Sequence, residues 1–168
     1  MILTEFFQLP SPHDCFINEV NHDPIHIYSS DLDGSNLQLL NNSDDMGAII
    51  QALGVDDRTG DIYVSPHHYQ PYTPGAAAGG MLRLTDNGAN ITKFSQRPYY
   101  VQDIEFDSEN NAVYYSRSPG VNDVRAMNLD GSNDRQIFSG LSGYPRIAID
   151  VSSQNLFYPQ SNQISKRL

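Results

Sequence analysis

Three segments of this 168-residue chain align with one another without a gap: "ALGVDDRTGDIYV" (52–64), "DIEFDSENNAVYY" (103–115) and "RIAIDVSSQNLFY" (146–158). Asp56, Asp107 and Asp150 fall in one column. Ile62, Val113 and Leu156 fall in a second, and Tyr63, Tyr114 and Phe157 in a third. The last two copies are 43 residues apart (150 − 107). The first two are 51 apart (107 − 56), because "PHHYQPYTPGAAAGG" (66–80) is inserted between them. A second match supports the repeat: "LDGSN" occurs at 32–36 and again at 129–133, 97 positions on (129 − 32).

Each unit reads as four strands. An apolar strand ends at the column Asp, and a polar turn follows (Asp57–Gly60, Ser108–Asn111, Val151–Gln154). The Tyr/Phe strand comes next, then a loop. A third strand is expected at Ile25–Ser30, Met81–Thr85, Val124–Leu129 and Ile164–Leu168. An Asp-Gly turn leads into the fourth strand, with Asn87-Gly88 in its place in the second unit. Asp-Gly and Asn-Gly tolerate the positive φ of a tight hairpin, so the twice-written LDGSN is read as the hairpin between strands three and four. A period of roughly 40–45 residues with several short strands per unit is the signature of a β-propeller blade. The expected fold is all-β, a propeller of about three and a half four-stranded blades in one domain, 1–168. The blades are expected at 1–47, 48–100, 101–143 and, incomplete, 144–168.

The Tyr-bearing second strand, the column Asp and a third strand ending in LDGSN resemble the YWTD repeats of low-density-lipoprotein-receptor-type six-bladed propellers. The resemblance covers most of 48–168 and is weaker in 1–47, where no Asp of the first column occurs. The four positions of the name read Tyr63-Val64-Ser65-Pro66, Tyr114-Tyr115-Ser116-Arg117 and Phe157-Tyr158-Pro159-Gln160, and the chain has no Trp. The resemblance implies a six-bladed ring that binds proteins. Related six-bladed propellers, the lactonases and strictosidine-synthase-like proteins, imply an alternative: a small-molecule enzyme with its site at the ring centre.

Charge narrows the partners. A formal charge of −10 argues against nucleic acid, which needs a basic face, and against anionic membrane surfaces. No apolar run reaches the ~20 residues of a membrane helix. "MILTEFFQLP" lacks the basic start and apolar length of a secretory signal, which favours a cytoplasmic chain and leaves a processed secreted one open. In that second case the sequons Asn41-Asn42-Ser43 and Asn90-Ile91-Thr92 would matter. The single Cys15 can form no internal disulfide and reads as a strand residue beside Phe16. No cofactor is expected. "DLDGSN" (31–36) resembles part of a calcium loop, without its distal Glu. HExxH, GxSxG, CxxC and GxGxxG are all missing.

Three and a half blades leave strand edges open, an aggregation hazard. Three outcomes are therefore open: a homodimer, which is expected, a second polypeptide that supplies the missing blades, or a longer protein of which this is a fragment; residues 2–9 could supply a closing outer strand. Antiparallel order sorts the loops onto two faces. The one-to-two and three-to-four loops are short and polar, and read as solvated connections. The other face carries His22, the insertion with His67, His68, Tyr69 and Tyr72, then Arg97, Tyr99, Tyr100, the 117–123 loop, Tyr144 and Arg146. Long irregular loops on one face are where function concentrates. Tyr, His and Arg supply amphipathic area, a switchable proton and a bidentate donor. These residues form the expected binding surface for a protein, peptide or small acidic ligand. On the enzyme reading His67 or His68 would be the acid/base, Tyr100 and Tyr144 proton donors, and Arg97 or Arg146 the anion anchor. Adjacent His67 and His68 point to opposite sides of an extended chain and suit no single metal. The column aspartates read as turn-stabilising hydrogen-bond acceptors.

Overall fold

The structure is a computed structural model that describes residues 7–8, 13–18, 26–41, 49–67, 81–85, 88–95, 100–160 and 163–167. All regular structure among them is strand, in four antiparallel sheets that each run in chain order. The first sheet holds β1 (Phe7–Gln8), β2 (His13–Asn18), β3 (His26–Asp31) and β4 (Gln38–Asn41). The second holds β5 (Ile49–Val55), β6 (Ile62–His67), β7 (Met81–Thr85) and β8 (Asn90–Ser95). The third holds β9 (Val101–Asp107), β10 (Ala112–Arg117), β11 (Asp123–Asn128) and β12 (Arg135–Ser139). The fourth has β13 (Ala148–Asp150), β14 (Asn155–Gln160) and β15 (Gln163–Arg167). One expectation fails here. Phe7–Gln8 does not close a blade as an outer strand, but pairs with β2 as the first strand of its own sheet. The meander is locally cheaper, because β1 and β2 are only a few residues apart in sequence and their pairing needs no long loop closure.

The sequence alignment reappears as pairing register. Val55 pairs with Ile62, Phe106 with Val113 and Ile149 with Leu156. The column aspartates organise the turns that follow. Asp56 Oδ1 accepts the Arg58 N–H at 3.1 Å. Asp107 accepts the Asn110 N–H at 3.1 Å and its Nδ2 at 2.8 Å. Asp150 accepts the Ser153 N–H at 3.2 Å and the Ser152 hydroxyl at 2.6 Å. Those hydrogen bonds hold the Asp150 carboxyl down, at about 2. Asp56 also reaches across sheets, taking the Ser108 hydroxyl at 2.7 Å in a buried site.

The two LDGSN copies form the same backbone turn, and each is the expected hairpin connection between strands three and four of its sheet. Gly34 N donates to Asp31 O, and Gly131 N to Asn128 O, both at 2.8 Å. The central residues, Leu32-Asp33 and Leu129-Asp130, keep negative φ, so Gly occupies the last position of a type I turn. Positive φ falls on Gly34 and Gly131, then on Asn36 and Asn133. The Asp33 and Asp130 carboxylates each take the N–H two residues on at 2.9 Å. The repeated Gly and Asn are therefore backbone requirements.

Three apolar clusters fill the three gaps between sheets. Ile27 of the first sheet packs with Leu53, Val55, Ile62, Val64, Leu82 and Leu84 of the second. Tyr63 and Met81 of the second pack with Ile104, Val113, Tyr115 and Met127 of the third. Val124, Phe138 and Leu141 meet Ile147, Leu156 and Tyr158 at the last gap. The middle gap is tight. A Cβ on Gly54 would lie 2.8 Å from Phe106 and 3.1 Å from Ile104, so only glycine lets β5 and β9 approach this closely. Tyr63 stands edge-on to Phe94 with ring centres 4.8 Å apart, an arrangement worth about 1 kcal/mol beyond burial.

Candidate functional site

The first strands of neighbouring sheets pack on one another, β1 on β5, β5 on β9 and β9 on β13, so they lie nearest the axis the sheets share. Near the start of β5 and of β9 the ladder slips by one residue. Ile50 and Ala52 pair with consecutive residues of β6, and Val101 and Asp103 with consecutive residues of β10. The bulged residues are Gln51 and Gln102, each five positions before its column Asp (56 − 51; 107 − 102). A bulge re-aims its side chain. Here the two amides meet: Gln102 Nε2 donates to Gln51 Oε1 at 2.7 Å and to Ser118 O at 2.8 Å.

The next column position holds Ala52, Asp103 and Arg146. Asp103 Oδ2 takes the Ile147 N–H at 2.7 Å, and its Oδ1 lies 3.7 Å from Arg146 Nη1. That nitrogen donates to Gln102 O at 2.8 Å. Burial raises the Asp103 carboxyl above its ordinary range, against the Ile147 N–H and Arg146, which pull it down. The connection carrying Arg146 is held from β10: Ser116 donates to Pro145 O at 2.6 Å, and Ser118 to Gly143 O at 2.8 Å. On this frame Tyr144 is 69% exposed and the Arg146 side chain 54% exposed. The Tyr100 carbonyl takes the Ser118 N–H at 3.1 Å, which ties it to the same cluster. The site thus presents an aromatic ring and a guanidinium on a fixed base, a combination suited to recognition.

Of the residues expected on this face, Tyr100, Tyr144 and Arg146 are brought together. The backbone of His67 closes β6 opposite Ile49. His22, His68, Tyr69, Tyr72, Arg97 and Tyr99 lie outside the described residues. Arg117 turns inward: it is 4% exposed and grips Asp123 with two bonds of 2.8 and 2.7 Å. Arg125, 3.7 Å from Asp123, continues the chain to Asp134, which also takes the Tyr115 hydroxyl at 2.7 Å. This network is structural.

Sequence reasoning missed Gln51, Gln102 and Asp103, although the gapless alignment places both glutamines at the same distance from the column Asp. It also gave no weight to the opposite end of the sheets. There a cleft of about 320 Å³ opens between the third and fourth sheets, lined by Asp107, Asn110, Tyr114, Phe138, Asn155 and Leu156 among others. Midway along β9, between the two ends, stands Glu105. Burial, and secondly the charge of Asp103, push its carboxyl up to about 7. The Asp31 and Asp33 carboxylates of the calcium-like loop are engaged within their own turn, by Ser35 and Asn36. Among the described residues no three His, Cys, Asp or Glu side chains converge as metal ligands. No described helix is long and apolar enough to cross a membrane.

No family model matches the chain, and no curated protein does. Solved structures do. A chain of the crystal structure of a nidogen/laminin complex superimposes with a TM-score of 0.79 at 12% identity, over 98% of this chain and 60% of that one. A chain assigned as TolB from Agrobacterium tumefaciens gives 0.64 at 13% identity, over 82% of this chain and 50% of that one. The chain therefore spans between half and three-fifths of the length of these neighbours. At such identity the likeness carries the fold, and with the four sheets in hand the chain is an all-β, partial β-propeller.

Proposed function

We propose that this chain is a non-catalytic binding module of the YWTD-repeat kind, which holds a protein partner on the face that carries Tyr144 and Arg146. The observation that carries the reading is the exposed Tyr144 ring beside a half-exposed Arg146 that is itself fixed to Gln102 and Asp103. An Arg146 guanidinium already held by Gln102 and Asp103 loses little conformational freedom on binding, and the exposed Tyr144 ring two residues before it adds amphipathic contact area. The nidogen/laminin neighbour is a propeller chain found in a complex of two proteins, which favours a protein partner over a free small ligand. A carboxylate-bearing segment of that partner would suit Arg146. On this reading a six-bladed ring is completed by a second copy, by another polypeptide, or by further blades of the same protein.

The test is comparative affinity capture. Immobilised wild-type chain, the double variant Tyr144→Ala/Arg146→Ala, and a control altered at the opposite end, Asp130→Ala, are exposed to the same extract. Each captured protein is then titrated as a pure component. The reading requires a partner that is lost tenfold or more by the double variant and kept by the control. Equal capture by all three would overturn it. Light scattering on the isolated chain tests ring completion by a second copy: a mass near twice 18.8 kDa supports it and a stable monomer excludes it.

A further inference from the structure

The cleft between the third and fourth sheets lies away from the face just described and has the lining of a ligand site. Its walls come from both sheets: Tyr114 and Phe138 from one, Ile149, Asn155 and Leu156 from the other, with Asp107 and Asn110 at the one-to-two turn. Its volume, about 320 Å³, is at the lower end of small-molecule pockets.

Its polar chemistry is one-sided. Asn155 is 4% exposed, and its Nδ2 is used on Ser153. Its Oδ1 is buried and has no donor among the described residues. A buried acceptor without a donor costs roughly 1–3 kcal/mol, so the site gains from any group that brings an N–H. Asp107, 5% exposed, adds a carboxylate. Asn110 supplies its two hydrogen bonds, which leaves lone pairs on both oxygens. Among the described residues that line the cleft none is cationic. The rings of Tyr114 and Phe138 offer π faces, and Phe138 is fixed by Tyr158, whose ring centre is 4.5 Å away. A carboxylate, a bare amide oxygen and aromatic faces around an apolar floor select a donor-rich cation on a hydrophobic body. The chain's net charge of −10 draws cations toward it over longer range.

We infer that this inter-sheet cleft binds a small organic cation, an ammonium group carried on an aryl or short alkyl body. The ammonium sits between Asp107 and Asn155 Oδ1, and the body lies against Tyr114, Phe138 and Leu156.

The inference is tested by titrating the labelled chain with 2-phenylethylammonium and, separately, with 3-phenylpropionate, its anionic counterpart, and following backbone amide signals. The expected result is saturable shifts at Asn110, Asn155 and Leu156 with the amine alone. Ile137→Trp, which fills the cleft from an exposed rim position, and Asn155→Leu, which removes the acceptor, should each weaken binding at least tenfold. The amide spectrum itself reports whether each variant is folded, and two chemically different variants guard against the loss of one. Equal binding of the acid, shifts confined to another region, or undiminished affinity in a folded Ile137→Trp chain would overturn it. None of these outcomes depends on the Tyr144 face.

Discussion

Glu105→Gln should stabilise the chain, with a gain that grows as pH rises from about 4.5 and is complete above about 7. Glu105 lies on β9, half-buried, and its carboxyl is pushed from 4.5 to about 7 by burial first and by Asp103 second. The sign follows from linkage. Between those two values the folded chain keeps a proton that the unfolded chain has lost, so stability falls as pH rises. Below about 4.5 both states are protonated and the group is neutral to folding. Above about 7 both are ionised, and the folded state bears the full desolvation penalty. At 1.36 kcal/mol per unit, the shift amounts to about 3 kcal/mol against folding. Glutamine keeps the shape and removes the charge. Urea unfolding of wild type and variant, at about pH 4 and about pH 8, should give a difference near zero at the first and a gain of up to ~3 kcal/mol at the second. In thermal melts that gain is roughly 6–12 °C for a chain of this size. A gain of the same size at both pH values, or none at the higher one, would refute the reasoning, because then burial of charge would not be the cause.

Asp123→Ala should destabilise by about 3–5 kcal/mol in urea titrations, because it removes the carboxylate that buried Arg117 grips with two bonds, while Arg125 keeps Asp134. Ser108→Ala removes the hydroxyl that bridges to buried Asp56 and should cost about 1.5–3 kcal/mol, while the Asp57 side of the turn is unchanged. Gly54→Val forces a side chain into Phe106 and Ile104 and should cost about 1–3 kcal/mol or prevent folding, readable as lost amide dispersion. Tyr144→Ala should leave the melting temperature within about 2 °C of wild type, since the ring is exposed, yet weaken partner binding at least tenfold.

What the sequence made legible was whatever repeats. The column Asp, the apolar residue across the turn from it and the twice-written LDGSN are backbone and packing demands that recur in more than one blade, so they recur as letters. The positions of third strands followed from them: Ile25–Ser30 was expected and His26–Asp31 is found. What does not repeat was harder to place. Phe7–Gln8 pairs with β2 through one short ladder that no letter pattern announces. The turn type at LDGSN depends on where the positive φ falls, and the Asp-Gly pair alone does not separate the first central position from the last. The 117–123 loop read as part of the binding face because Asp123, the partner of Arg117, sits across it and becomes a neighbour only when β10 and β11 pair. Gln51 and Gln102 were aligned all along, but their meeting depends on bulges in two different sheets. The cleft is invisible in one dimension, since it is made of the space two sheets leave between them.

The most direct test of the central claim, that the Tyr144 and Arg146 face binds a protein, is hydrogen exchange by mass spectrometry on the chain alone and saturated with its captured partner. Added protection is expected at 100–103, 117–123 and 140–147, the segments that the Gln102, Ser118 and Arg146 bonds tie together. Protection at the one-to-two turns 108–111 and 151–154 instead, with this face unchanged, would contradict it.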